Sequence, residues 1–548
     1  MGVTADPRVR GERSATFRLE FAGAVLFTFW PALLGTYVAD DLRLLAHNPA
    51  VQTGDFGALL VRPMFGAEGG YWRPLTMLAL WLGNTIGGAT GVHLLSLLLH
   101  VANTLAVRAL AARFVPGTAA AWTALLFALH PAQVESVAWC AAINDPLWVA
   151  CALQAMLAAV RWRDAGARGL PWAAAACVFA ALCAKEIGAA AIPLALAAVW
   201  WVPAAGTVVS RGVRWRAAAA LAMAGFSWFA VRALVQHEWI GKVLVGASMP
   251  VLIAVDELGR AAHLFAAQCA LLVWPWPQLL TRSVPLAEGI AAFVFPAALA
   301  ACVVLVCCLR RRIAPAARLA IAMIVVPLLP VLAYTKAIGI YPIADRYLYL
   351  PVAGFALALA HLLRVERLGA AAWLLPLLLA PCTFSATWTW YDSAHLVATS
   401  VKNAPDDPMV LAMAGDLALD RAFGSDRTTV PEAEGYYRRA VAAIGTAPHG
   451  VQDRRTIATA KLGLAWCTLL RADRSPGAGD AVIAAFRAAV EAAPENPMAW
   501  VGLGRAHLEL RQFEAAEHAF GEALRVAPEN APARSGLEQA RVARAAGR

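Results

Sequence analysis

The distribution of charge along the chain limits this protein's fold more than any other feature of its sequence. Residues 1–390 hold only 28 of the 46 Lys and Arg residues and 17 of the 36 Asp and Glu residues, and these lie between long apolar runs. Residues 391–548 hold the other 18 bases and 19 acids, close to the density of about 25% that is usual in soluble domains. The sequence therefore predicts a membrane domain at 1–390 and a soluble domain at 391–548.

Eleven apolar runs in the membrane domain are predicted to be transmembrane helices. Two further runs, 74–86 and 259–275, are short or interrupted, and we expect interfacial or re-entrant helices there. The fold class is therefore all-α, a polytopic helix bundle followed by a helical soluble domain. The eleven predicted spans are 19–38, 92–112, 118–136, 145–162, 171–187, 188–204, 217–236, 289–309, 319–335, 347–363 and 370–389.

The positions of the charged residues predict the orientation of these spans. Four arginines precede the first span, which lacks a small-residue cleavage site, so we expect a retained helix and a cytoplasmic N-terminus. With eleven spans, 18 of the 28 bases fall on the inner side and 12 of the 17 acids on the outer side. Topology thus accounts for the basic excess, and no nucleic-acid partner is indicated. The Ala- and Arg-rich composition favours a bacterial inner membrane, with the soluble domain in the periplasm.

A 34-residue period runs through the soluble domain. Trp466 aligns with Trp500, Phe486 aligns with Phe520, and the Ala-Pro-Glu-Asn sequence that begins at Ala493 occurs again 34 residues later. This period and these residue types are typical of the tetratricopeptide repeat, a pair of antiparallel helices. A degenerate earlier unit is predicted from Pro408 to about Pro448. Such repeats bind protein partners, although a helical cap that only solubilises the C-terminus would leave the same pattern.

The first candidate catalytic group follows the first span, where Asp40 and Asp41 are adjacent. Repulsion between two neighbouring carboxylates can raise one pKa into the range that suits proton transfer. The alternative is that one of them merely caps the helix that starts at Leu42. These residues alone do not decide between the two interpretations.

Other ionisable residues are predicted at the same outer face as the aspartate pair. Such residues next to membrane spans are costly and indicate function, although Lys185 could simply pair with its neighbour Glu186, and Arg346 could contact lipid headgroups. His130 and Glu135 could bind a divalent metal ion, but two ligands without a third are weak support, and the ten cysteines show no metal or disulfide spacing. The residues are His130, Glu135, Asp145, Lys185, Glu186, Lys336, Asp345 and Arg346.

Taken in order, these motifs resemble a known family. The Asp40-Asp41 pair, the Tyr-Trp-Arg-Pro-Leu segment from Tyr71, the His-Pro-x-x-x-Glu stretch from His130, Lys185-Glu186 and the Asp-Arg-Tyr-Leu-Tyr-Leu-Pro motif from Asp345 precede the repeats. This order resembles the transmembrane and tetratricopeptide-repeat O-mannosyltransferase-like family of GT-C glycosyltransferases. The family is usually longer in repeats than this chain.

The resemblance implies an inverting glycosyltransferase. It would move mannose or another hexose from a polyprenyl-phosphate donor to an acceptor hydroxyl, such as Ser or Thr of an exported protein. Asp40 or Asp41 would be the general base, with Asp40 favoured by the family pattern. Arg346, then Lys336 and Lys185, would bind the donor phosphate. His130, Glu135, Asp145, Glu186 and Asp345 would orient the acceptor or an optional divalent metal, with no cofactor otherwise implied.

Two alternatives remain at this stage. One is a non-catalytic membrane scaffold whose repeats bind partners, and the other is a GT-C enzyme that modifies a lipid or a polysaccharide. A transporter is less favoured because the ionisable residues gather at one face and not near the midplane of the bilayer.

Reporter fusions test the predicted topology. A reporter fused after residue 390 should report the periplasm, and one fused after Arg312 should report the cytoplasm, because inverting the chain would place 18 bases outside. The same compartment for both fusions would refute the eleven-span arrangement.

Overall fold

The structure is a computed structural model whose described part contains helices and no strand. The chain divides into two compact units between Leu396 and Val397. The predicted span 289–309 lies outside the described residues, as does Lys336. The described residues are 19–65, 71–203, 210–236, 255–277, 279, 282, 312–333, 343–424, 426–445, 451–472, 477–528 and 530–546.

The first unit is built from helices joined by short turns and 3-10 segments. The helix bounds, numbered in chain order, are α1 Leu19–Leu34, α2 Pro74–Ala111, α3 Gly117–Leu129, α4 Asn144–Asp164, α5 Trp172–Ala184, α6 Ala191–Trp201, α7 Arg211–Gln236, α8 Val255–Val273, α9 Pro315–Ala333, α10 Tyr349–Leu362 and α11 Leu374–Thr387.

Four helices of the described part are long and apolar enough to cross a membrane: α2, α7, and the segments Cys140–Asp164 and Gly369–Trp390 around α4 and α11. Other apolar helices, including α1, α3, α5 and α6, are shorter. Several predicted spans are broken where polar residues interrupt the helix. α3, for example, ends at Leu129 before His130-Pro131, and α5 ends at Ala184 before an extended Lys185. The count of eleven crossings therefore remains a prediction.

α2 reverses direction at Gly87-Gly88, where the backbone leaves helical geometry and Gly88 takes a φ of 60°. A Cβ atom at Gly83 would lie 2.7 Å from the Cα of Val92, and one at Gly91 would overlap the carbonyl oxygen of Gly83. In a straight helix, residues eight positions apart are about 12 Å apart. Residues 74–86 thus form a separate short helix that folds back onto the rest of α2, as the interruption in the sequence predicts.

Small residues allow the central helices of the first unit to pack closely. Trp122 of α3 is buried against a layer of alanines contributed by α9 and α10. A Cβ atom at Gly354 of α10 would lie 2.6 Å from the carbonyl oxygen of Ala320 in α9. Close backbone approach through Gly and Ala is the usual way that helices associate in lipid, where the hydrophobic effect cannot drive them together.

The second unit is a row of helices in which consecutive members pack on one another. Its regularity lies in an aromatic ring that fits beneath a glycine. Phe520 packs under Gly504 and Gly536, Phe486 packs under Gly502, and Tyr437 fills the corresponding place in the predicted degenerate repeat. Helix α12, Ser393–Asn403, contains the boundary between the units, and the second unit continues with α13 Pro408–Gly424, α14 Val430–Ile444, α15 Val451–Arg471, α16 Ala478–Ala492, α17 Pro497–Glu509, α18 Phe513–Val526 and α19 Ala531–Ala546.

Arg163, near the C-terminal end of α4, is buried and closes the C-terminus of α6. Its guanidinium donates to the carbonyl oxygens of Val199 at 3.0 Å and Val202 at 2.6 Å, and to that of Pro203 at 3.1 Å. The last carbonyls of a helix have no partner within the helix, and a cation there also interacts well with the helix dipole. This contact joins two helices at the end of α4 opposite Asp145.

Replacing Arg163 with Ala should destabilise the first unit. The carbonyls of Val199 and Val202 would lose their side-chain donor, whereas that of Pro203 also accepts from Arg113. A buried group left unpaired costs about 1–3 kcal/mol, so the free energy of unfolding should fall by at least about 2 kcal/mol. Thermal unfolding of the purified protein in detergent measures the change. Arg161→Ala is the matched control, because Arg161 is exposed and its loss should cost less than about 0.5 kcal/mol. Equal effects of the two variants would contradict the proposed capping role.

Candidate active site

Asp41 is fully buried and joins two segments of the chain. One carboxylate oxygen accepts a hydrogen bond from the backbone N–H of Val38 at 3.0 Å, and the other accepts from the N–H of Ala141 at 2.6 Å. Burial is the largest effect on its acidity and raises the pKa of Asp41 to about 8, against the two backbone hydrogen bonds, which lower it. Asp41 therefore anchors the loop after α1 to the segment that precedes α4.

Asp40 has a different environment from its neighbour. Its side chain is exposed and makes no hydrogen bond to a described residue. The surrounding protein still displaces part of its water, which raises the pKa of Asp40, while the positive charges of Arg346 and Arg43 oppose that change. Of the adjacent pair, Asp40 is the carboxylate that a ligand can reach, and Asp41 is occupied by the backbone.

Arg346 is held in place by Glu135. One oxygen of Glu135 accepts from the Arg346 guanidinium in an ion pair, and the other accepts from the backbone N–H of Arg346 at 2.9 Å. The guanidinium carbon also lies 5.6 Å from the ring centroid of Trp139 and 5.2 Å from that of Tyr347. A guanidinium fixed on two sides in this way has little freedom to reorient.

Two further ion pairs cross between helices at the same end of the bundle. The ammonium of Lys185 lies 2.6 Å from a carboxylate oxygen of Asp145, and both side chains are buried. The Arg73 guanidinium lies 2.7 Å from a carboxylate oxygen of Glu186. Lys185 thus pairs with Asp145 in the start of α4, and the sequence-based alternative, a pair between the neighbours Lys185 and Glu186, is wrong.

A fourth ion pair holds the segment before α10. Arg282 donates to the two carboxylate oxygens of Asp345 at 3.0 and 2.9 Å. Burial raises the pKa of Asp345 to about 6, and the charge of Arg282 limits that rise. Asp345 is therefore paired within the protein and positions the residue that follows it, Arg346.

His130 is buried, and both of its ring nitrogens bond to the protein backbone. Its Nδ1 accepts from the backbone N–H of Ala132 at 3.3 Å, which leaves Nε2 to donate to the carbonyl of Leu272 at 3.1 Å. Neither nitrogen then has a lone pair available for a metal ion. Across the described part of the chain, no three His, Cys, Asp or Glu side chains are grouped closely enough to bind a metal.

Arg346 relates these residues to one another electrostatically, because its charge acts on Asp40, Lys185 and Asp345. Arg73 and Arg282 belong to the same set, yet the sequence analysis does not assign them a role. Arg73 lies within the quoted Tyr-Trp-Arg-Pro-Leu segment, so its proximity to the site had a sequence signal. Arg282 belongs to no motif, and only the folded structure places it beside Asp345.

Comparisons with known proteins identify repeats in the second unit. Residues 475–540 match the family described as tetratricopeptide repeat, which supports the predicted repeats in the second unit. The chain also superposes on the APC/C hetero-tetramer Cut9–Hcn1, with 14% identity and coverage of 91% and 96% of the two chains. The TM-score of that superposition is 0.26, which carries no inference about the fold.

The chain is also similar to two curated proteins of Drosophila melanogaster. It is 31% identical over 184 residues to protein O-mannosyl-transferase Tmtc2, which is 30% of this chain and 19% of that protein. It is 33% identical over 131 residues to protein O-mannosyl-transferase Tmtc1, covering 22% and 15%. The chain thus spans about a fifth of the length of these relatives or less, and the likeness is to part of two proteins named as protein O-mannosyl-transferases.

Replacing Asp41 with Asn should destabilise the fold. The side-chain NH₂ of Asn cannot accept a hydrogen bond, so either Val38 or Ala141 would keep a buried N–H without an acceptor, at a cost of about 1–3 kcal/mol. Asp40→Asn is the matched control and should unfold like the parent, because Asp40 is exposed. Thermal unfolding of the two variants at one pH makes the comparison.

The same pair of variants yields a pH dependence with a defined sign. The folded protein holds a proton on Asp41 that the unfolded chain releases near pH 4, so the stability that Asp41 contributes is complete below about pH 4. It is lost as the pH rises towards about 8. Asp41→Asn should remove this part of the pH profile, and an unchanged slope would show that another group causes it.

Proposed function

We propose that this protein is a membrane glycosyltransferase of the O-mannosyltransferase-like class, which moves a hexose from a polyprenyl-phosphate donor to an acceptor hydroxyl with inversion. The observation that supports it best is the exposed carboxylate of Asp40 in the electrostatic field of Arg346. A base for the acceptor and a cation for the leaving phosphate are the two groups that this reaction needs. The similarity to O-mannosyl-transferases gives independent support.

In the proposed step, Asp40 takes the proton of the acceptor hydroxyl while the hydroxyl oxygen attacks the anomeric carbon from the face opposite the phosphate. The bond between the anomeric carbon and the phosphate oxygen breaks, and the lipid phosphate leaves with the electron pair. A raised pKa suits Asp40 to this role, because a general base is most effective when its pKa is near the working pH.

The leaving phosphate is proposed to bind Arg346. A guanidinium has five N–H donors in a planar fork, so an arginine that already pairs with one carboxylate can also bind a phosphate through parallel hydrogen bonds. Glu135 holds this guanidinium, and its role is thus to position Arg346 more than to orient the acceptor. Lys185 remains a second candidate for the phosphate, although Asp145 neutralises it, and Lys336 remains a candidate outside the described residues.

The remaining assignments belong to the same proposal. The predicted eleven-span topology would put Asp40 and the repeats on the outer face of a bacterial inner membrane, where the repeats would bind a protein acceptor or a partner that delivers it. The rival classes, a non-catalytic scaffold and an enzyme that modifies a lipid or polysaccharide, make different predictions for the variants below.

Asp40→Asn should abolish transfer without changing the fold. The amide removes the basic oxygen, and loss of a general base typically lowers the rate about 10²–10⁴-fold. The measurement is transfer of sugar from a polyprenyl-phosphate donor by the purified protein, with unfolding temperature as the check on structure. Near-parental transfer by a folded Asp40→Asn protein would exclude Asp40 as base, and a parent protein that transfers nothing would favour the scaffold.

Arg346→Lys should raise the KM for the donor while leaving protein level and membrane insertion intact, because an ammonium cannot reproduce the planar fork. Arg43→Lys is the matched control: Arg43 also acts electrostatically on Asp40, but its guanidinium donates to the carbonyl of Phe65. Equal donor KM values for the parent and the Arg346 variant would instead make Arg346 an interfacial anchor.

A further inference from the structure

Two carboxylates in the candidate site use only one of their oxygens. One oxygen of Asp145 accepts from Lys185 at 2.6 Å and from the indole N–H of Trp148 at 3.2 Å, while its Oδ2 is buried without a partner among the described residues. Glu186 pairs with Arg73 through Oε2, and its Oε1 is likewise buried without a partner. A third acceptor in the same condition, Oδ1 of Asn144, precedes Asp145.

These acceptors form one cluster with the cations beside them. Lys185 and Glu186 are consecutive, so the two ion pairs share a segment of backbone, and the charge of Arg73 acts on both carboxylates. Buried polar atoms in folded proteins nearly always have a hydrogen-bond partner, and leaving one without a partner costs about 1–3 kcal/mol. Three such oxygens, on two segments that the Lys185–Asp145 ion pair joins, therefore indicate that a donor from outside the chain completes the cluster.

The chemistry of the cluster limits what that donor is. A further cation is disfavoured because Arg73 and Lys185 already neutralise both carboxylates, and the described residues offer no set of three metal ligands. A neutral group that donates to a carboxylate and accepts from an adjacent ammonium or guanidinium satisfies both members of an ion pair. A hydroxyl group does both at once. Two adjacent acid–base pairs thus suit a ligand with several hydroxyl groups.

We propose that Arg73, Asp145, Lys185 and Glu186 form the subsite that binds the hydroxyl groups of the donor's hexose, with Asn144 as an additional acceptor. The inference rests on the proposed function, because it takes the ligand to be the sugar of a polyprenyl-phosphate donor. The position of the subsite agrees with this ligand, because Arg346, the proposed phosphate ligand, acts electrostatically on Lys185 as well as on Asp40. The subsite selects the sugar, and Arg346 binds the phosphate whatever sugar is attached.

Binding of two kinds of probe to the full-length protein in detergent separates these roles. The probes are citronellyl phosphate, which has no sugar, and citronellyl phosphate that carries mannose, glucose or galactose. The parent should bind one glycosylated probe more tightly than citronellyl phosphate. Glu186→Gln should lower the affinity for that glycosylated probe about tenfold, the size expected for one hydrogen bond to a charged group. It should leave the affinity for citronellyl phosphate unchanged. Arg346→Lys should lower the affinity for every probe, with or without a sugar.

Two further variants distinguish a loss of sugar binding from a folding defect. Asp145→Asn should have the same selective effect on affinity as Glu186→Gln, but it leaves the buried Lys185 without its counter-charge. The Glu186 side chain is about one third exposed (33%), so the Glu186 variant is expected to fold. Asp164→Asn is the matched control, because Asp164 pairs with Arg113 and Arg163 at the opposite end of α4. It should bind every probe as the parent does.

The outcomes distinguish this inference from the function on which it rests. If the folded Glu186 variant binds every probe like the parent, or loses affinity for citronellyl phosphate to the same degree, the subsite is wrong and the proposed function stands. If the parent binds no glycosylated probe more tightly than citronellyl phosphate, the proposed donor is wrong, and the hexose subsite is rejected with it.

Discussion

The carboxylate of Asp41 is the interaction on which the candidate site depends. It joins the N–H groups of Val38 and Ala141, residues that are about 100 positions apart, and so holds the loop after α1 against the segment between α3 and α4. The position of Asp40 depends on this arrangement. The hydrogen bonds of the adjacent Asp41 fix the backbone of Asp40, while the side chain of Asp40 stays exposed. A pair of adjacent aspartates thus divides two tasks that one residue could not perform, burial for structure and access for chemistry.

The charges of the site are nearly balanced, which affects how a phosphate could bind there. Four bases of the described site have a carboxylate partner: Arg346 with Glu135, Lys185 with Asp145, Arg73 with Glu186, and Arg282 with Asp345. Burial raises the pKa of Asp41 and favours its protonated form, and Asp40 has no ion-pair partner among the described residues. Phosphate binding would therefore rely on fixed, directed donors more than on a net positive field, which is the electrostatic preorganisation that enzymes commonly use.

The sequence predicts which residues belong to the site better than it predicts their pairing. Positive-inside bias and hydropathy place Asp40, Glu135, Asp145, Lys185, Asp345 and Arg346 at one face, and the structure links these residues through contacts and charge. Pairing is a property of the folded chain. Lys185 is adjacent to Glu186 in sequence but bonds to Asp145, because an extended residue separates α5 from the turn before α6 and directs the two side chains to different partners. Arg282 has no motif around it and could not have been found.

Helix length shows a second limit of sequence reasoning. Hydropathy merges 118–136 and 171–187 into continuous spans, whereas the helices end at Leu129 and Ala184, next to His130 and Lys185. α3 ends at Leu129 because Pro131 disfavours helical geometry in His130, which is extended, and α5 ends at Ala184 where Lys185 is extended. Non-helical backbone within an apolar domain is tolerated where it is buried in protein or lines a cavity.

The second unit shows the opposite case, in which a pattern of small residues specifies the fold directly. A ring at Tyr437, Phe486 or Phe520 occupies space that a Cβ atom on the facing glycine would fill. The period of 34 residues reveals this rule for Phe486 and Phe520, and insertions hide it at Tyr437, which keeps the ring but adds a hydroxyl. That hydroxyl donates to Asp416 at 2.7 Å, so the degenerate repeat satisfies its extra polar group internally and retains the same helix packing. Packing complementarity, more than residue identity, therefore defines the repeat.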